Sequence, residues 1–133
     1  MTRLNGIVIG QAERATRAVL DELLDRLHIP FDQWVALHLA ATDGSAGADR
    51  LASLQRVPLA AAEATVSALT AAGLLAPDGS PTAAGRARHA EIAAGIAEIS
   101  ARLYAGFPDA DLETAGRVLT EVTSRARAQL AAP

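Results

Sequence analysis

The chain has no cysteine, which excludes disulfides, thiolate metal sites and cysteine nucleophiles. It also has no lysine. All 12 cations are arginine, and against 15 acids they leave a net charge of −3. A domain held on DNA by its overall field is basic, so any DNA affinity here must come from a local cluster. Aromatic residues are scarce: Phe31, Trp34, Tyr104 and Phe107. No apolar run approaches the about 18 residues of a membrane span. The N-terminus, with Asn5, Gln11, Glu13 and Arg14, lacks a secretory pattern. The sequence therefore predicts a soluble, cytoplasmic protein with no membrane partner. No nucleophile elbow, phosphate loop or dinucleotide fingerprint occurs, so no cofactor is expected.

What is present is a half-hydrophobic chain of 133 residues, which fits a single domain over 1–133. Alanine is its commonest residue, which suits closely packed helices. Gly6 to Gly10 is the one β-branched run and is too short to found a sheet. Apolar spacing predicts a first helix from about Ile9 to Leu27, with a stripe at Ile9, Ala12, Thr16, Val19, Leu23 and Leu27. Ile29-Pro30 stops it. A second helix follows to about Ala41, with Asp32 as its N-cap and Trp34, Leu37 and His38 on one face.

Short helices at about 49–55 and 60–72, joined by Arg56-Val57-Pro58, give a helix-turn-helix pattern within a lobe of about 46–82. Ala62, Thr65, Val66 and Leu69 should face inward, with Gly73 as a left-handed cap. Thr82 caps a long helix to about Ala105, with Ile92, Ile96, Ile99 and Leu103 inward. Gly106-Phe107-Pro108 breaks it. Asp109 caps a last helix to about Leu130, striped by Leu112, Ala115, Leu119, Val122, Ala126 and Leu130. Long helices with narrow stripes are marginal alone. The segments at about 5–27 and 82–131 therefore predict a homodimer of intertwined terminal helices, the alternative being a monomeric bundle.

The order of these elements and several phrases resemble the MarR family of winged-helix regulators. Phe31 to Leu37 (FDQWVAL) resembles that family's second helix. Leu51-Ala52, Val66, Leu69 and Ala72-Gly73-Leu74-Leu75 resemble its helix-turn-helix. Pro81 to Arg86 (PTAAGR) resembles the phrase that opens its long helix, and Asp111 to Thr123 its last helix. The resemblance covers about residues 9 to 130. It implies an all-α dimer, operator binding by the second helix of the helix-turn-helix and by a small β-wing, and a small, often phenolic ligand between the dimerisation helices and the DNA-binding lobe.

The sequence departs from that family where DNA would be touched. Recognition helices read bases with polar side chains and hold phosphates with cations. The helix Leu59 to Ala68 carries one charge, Glu63, and has Glu63-Ala64 where the family usually places Ser/Thr-Arg. From Ala46 to Thr82, Arg50 and Arg56 face Asp49, Glu63 and Asp78, so the lobe sits at −1. Only five residues, Ala76 to Ser80, separate Leu75 from Pro81, too few for two strands and a turn. The wing is expected to be a stub. Arg50, Arg56, Ser67, Arg86 and Arg88 are the residues left to contact DNA.

Trp34 and His38, one helical turn apart, could form an aromatic pocket with His28 and Tyr104. Each also reads blandly: Trp34 and Tyr104 as packing, His38 as a half-exposed histidine, His28 as a helix-end cation. His28, His38, Asp32 and His89 lack metal-ligand spacing, so no metal site is expected. If the pocket were catalytic, His38, Asp32 and Tyr104 would do its acid-base work. Three functions stay open: a ligand-responsive regulator with weakened DNA contact; a wingless relative that binds or transforms a small aromatic metabolite; and a modulator that heterodimerises with a DNA-binding paralogue.

Overall fold

The computed structural model describes residues 2–132 as six helices. Contacts divide the chain into two compact units, one up to Ile99 and one from Ser100 onward.

In the first unit, α1 spans Gly6–Arg26. It begins earlier than its stripe suggests because the Asn5 side chain caps it, accepting from the Val8 amide at 3.0 Å. The β-branched run is thus its opening turns. The helix ends on His28, whose φ of 58° is left-handed, while the Ile29 amide returns to the Leu24 carbonyl at 3.1 Å. That is the geometry of a Schellman stop. Helix α2 spans Phe31–Asp43, with Pro30 at the N-cap and no side-chain cap. Asp32 therefore lies inside the first turn rather than capping it, and its carboxylate is free to reach another helix.

Helices α3 (Ala48–Gln55) and α4 (Leu59–Ala71) are linked through Arg56, itself at φ 54°. Helix α4 packs on both α2 and α3, with Ala62, Thr65 and Leu69 buried and Val66 half-buried. Leu24, Leu37, Leu51, Leu69, Leu75 and Ile92 are the fully enclosed large side chains of this core. Gly73 at φ 78° ends α4 as expected.

The wing is a stub. One antiparallel bridge, Leu75 with Pro81, is the only strand pairing among the described residues. Its turn is closed by the Ala76 amide on the Ser80 carbonyl at 2.8 Å. The Ser80 hydroxyl and amide both donate to Asp78, which holds that carboxyl below its ordinary pKa. Helix α5 (Ala83–Leu103) starts under the Thr82 hydroxyl, which accepts from the Gly85 amide at 3.0 Å. Gly85 has a further reason to be glycine: a Cβ there would run into the Leu74 carbonyl oxygen. Ile92 and Ile99 are buried, Ile96 is half-buried, and Leu103 is exposed.

In the second unit, the chain leaves α5 through Gly106 at φ 84° and enters α6 (Asp109–Ala131). Pro108, not Asp109, occupies the N-cap, and Asp109 and Asp111 fall in the first turn, where a carboxylate favours the positive helix end. No α6 residue is buried in the single chain. Leu112, Leu119, Val122 and Leu130 of its stripe are all exposed.

Candidate functional site

Three features of the first unit carry chemistry. The first is an open cleft of about 760 Å³ walled by α1, α2, the end of α3 and α4. Its apolar lining includes Phe31, Val35, Leu54 and Val57, and its polar groups include Arg17, Asp32 and Thr65. Such a volume and such a mixture suit a small organic molecule. The Arg17 guanidinium lies 3.2 Å over the Phe31 ring, a cation–π stack. Its Nε also meets Asp21 Oδ1 at 3.3 Å, and Glu13 stands 3.9 Å away. Across the cleft, the Thr65 hydroxyl donates to Asp32 Oδ2 at 2.8 Å. This bond joins the first turn of α2 to the middle of α4.

The second feature is a cluster of three rings. Trp34 stands 5.2 Å from both His38 and His89 by ring centroids. His38 Nδ1 and His89 Nε2 are 3.0 Å apart, so one imidazole donates to the other and α2 is tied to α5. Burial, and then the charge His38 would carry, push the His89 pKa down. Two imidazolium N–H groups could not face each other at this distance. Trp34 is itself largely core, at 7% exposed. No group of three or more metal-ligating side chains occurs among the described residues.

Of the four residues expected to form a ligand pocket, Trp34 and His38 are brought together. His28 borders a separate shallow hollow beside Asp25 and Pro30. Tyr104 is exposed at the start of the second unit. The residues that build the larger cleft, Arg17, Phe31 and Thr65, were not singled out by sequence. Their partners lie elsewhere in the chain, and the one local signal was Arg17 set four residues before Asp21.

The third feature is the outward face of α4: Glu63, Ala64, Ser67 and Ala68 are exposed and offer no cation. The arginines expected to serve DNA divide. Arg50 pairs with Asp43. Arg88 donates to Glu91 and to the Leu27 carbonyl, which closes the end of α1. Arg56 and Arg86 are exposed, and no ion pair to either occurs among the described residues.

Neither a family model nor a curated protein matches the chain in sequence. Solved structures do match in fold. Ligand-free NadR superposes with a TM-score of 0.80 at 22% identity, covering 92% of this chain and 99% of NadR. The transcriptional regulator PA3341 gives 0.77 at 24%, covering 92% and 97%. The MarR-family protein Rv2887 of Mycobacterium tuberculosis, in complex with DNA, gives 0.76 at 21%, covering 91% and 98%. Most of the chain thus superposes on these regulators, and it has the MarR-family fold.

Proposed function

We propose that the protein is a homodimeric, small-molecule-responsive transcriptional regulator whose hold on DNA is weak. The observation that carries this reading is the pairing of an intact helix-turn-helix with a solvent-facing α4 that lacks cations. Rv2887, of similar fold, has been seen on DNA and with salicylic acid. NadR has been seen with 4-hydroxyphenylacetate. The cleft beside Arg17 and Asp32 supplies a place for an effector within reach of α4. Dimerisation is supported by the exposed stripe of α6, which a second copy would cover.

Weak DNA contact follows from charge. Each phosphate neutralised by a cation contributes through counterion release. Here the lobe is at −1, Glu63 would face the groove, and the wing has shrunk to one bridge. Arg56, Arg86 and the Ser67 hydroxyl remain as contacts. The same features favour a second reading, a relative that has left DNA and retains only its ligand cleft.

An anisotropy titration of the full chain separates the two. Its targets are the upstream region of its own gene and random duplex DNA, at about 50 and 200 mM salt. Selective, salt-sensitive binding to the upstream region is the result expected of the regulator. Equal binding to both duplexes, or none at micromolar protein, would leave the second reading.

A further inference from the structure

We infer that the cleft between α1, α2 and α4 takes an organic cation, an apolar or aromatic body carrying a protonated amine, in preference to a carboxylic acid. This rests on the reading that the cleft is the effector site, and it names the effector's class. Charge sets the preference. Among the described residues Arg17 is the only cation lining the cleft, and it is already engaged: Asp21 and Glu13 stand 3.3 and 3.9 Å from it, and its flat face is on Phe31. A ligand carboxylate would have to compete with two carboxylates for one guanidinium.

Asp32 is the opposite case. It lines the same cleft, and no ion pair to it occurs among the described residues. Its one side-chain partner among the described residues is the neutral Thr65 hydroxyl. One carboxylate oxygen therefore holds α4 while the charge as a whole has no counterion. Beside an apolar wall of Phe31, Val35 and Val57, that charge suits a protonated nitrogen, because charge-assisted hydrogen bonds are the strong ones. An ammonium on Asp32 would sit next to the α2–α4 link, where binding can bias how α4 is held.

The test uses three probes of one shape: 2-phenylethylammonium, 2-phenylethanol and phenylacetate, titrated calorimetrically into the full chain. Asp32 is exposed, so water screens the pair; the ammonium should still bind several-fold tighter than the acid, with the alcohol between them. D32N should remove most of the ammonium's advantage and leave the alcohol unchanged. Ala61→Phe, which fills the cleft wall, should abolish binding of all three; it and the wild-type probe series carry the test if D32N folds poorly. Phenylacetate binding as tightly as the ammonium, ammonium binding indifferent to D32N or Ala61→Phe, or no binding of any probe would each overturn the proposal. DNA anisotropy with and without the amine separates the two layers. Amine binding that leaves DNA affinity unchanged upholds the charge preference and defeats the effector reading. Acid binding that shifts DNA affinity does the reverse.

Discussion

The two faces of α4 are built from different kinds of residue. Inward, Ala62, Thr65 and Leu69 are buried against α2 and α3, and Thr65 is fixed by Asp32. Outward, the same helix shows Leu59, alanines, one serine and one acid. The inward face meets every demand of the fold; the outward face meets few of the demands of a DNA reader. On the proposed reading, fold and DNA contact are specified by different residues of one helix, so one can be kept while the other is eroded.

The largest expected effect is on the inward face. Leu69 is fully enclosed, so Leu69→Ala should cost about 2–5 kcal/mol of stability. Chemical denaturation measures it. A loss below about 1 kcal/mol would mean that α4 is not packed as described. Gly85→Ala sharpens the comparison at the junction beyond α4. The added methyl meets the Leu74 backbone carbonyl, not a yielding side chain, and a loss of about 1–3 kcal/mol is expected. An unchanged melting temperature would show that the strap from α4 to α5 is slack.

The smallest effect belongs to a half-buried position. An unfolded histidine titrates near 6.5, and His89 titrates lower in the fold. The unfolded chain therefore takes up the proton first as pH falls. Stability should be level above pH 6.5 and decline below it, as pH drops toward the folded value. His89→Gln should flatten part of that decline. A pH–stability curve identical to wild type would remove His89 from the α2–α5 contact.

Much of the inward face was legible in the sequence because it is periodic. The spacing of Ala62, Thr65, Val66 and Leu69 gave its orientation, and Gly73 and Thr82 gave the ends of the elements they cap. The five residues between Leu75 and Pro81 sufficed to predict the wing stub. Helix starts are less legible. Asn5 begins α1 before its stripe does, and proline at 30 and 108 displaces Asp32 and Asp109 from the caps. The site was legible only in part. Trp34 and His38 are one turn apart in the sequence, and their rings lie 5.2 Å apart in the fold. His89 joins them from 51 positions away, and Thr65 reaches Asp32 across 33, separations that local periodicity does not encode.

If the protein is the regulator proposed above, α4 is still presented as a reading helix and binds DNA weakly only for want of charge. The most direct measurement is the affinity of Glu63→Arg/Ala64→Arg for random duplex DNA, against wild type, from about 50 to 200 mM salt. Tighter binding at low salt is expected, with a log–log salt slope steeper by about one unit per new phosphate contact. An affinity unchanged at low salt would contradict it, because two arginines on a helix that meets DNA could not go unnoticed.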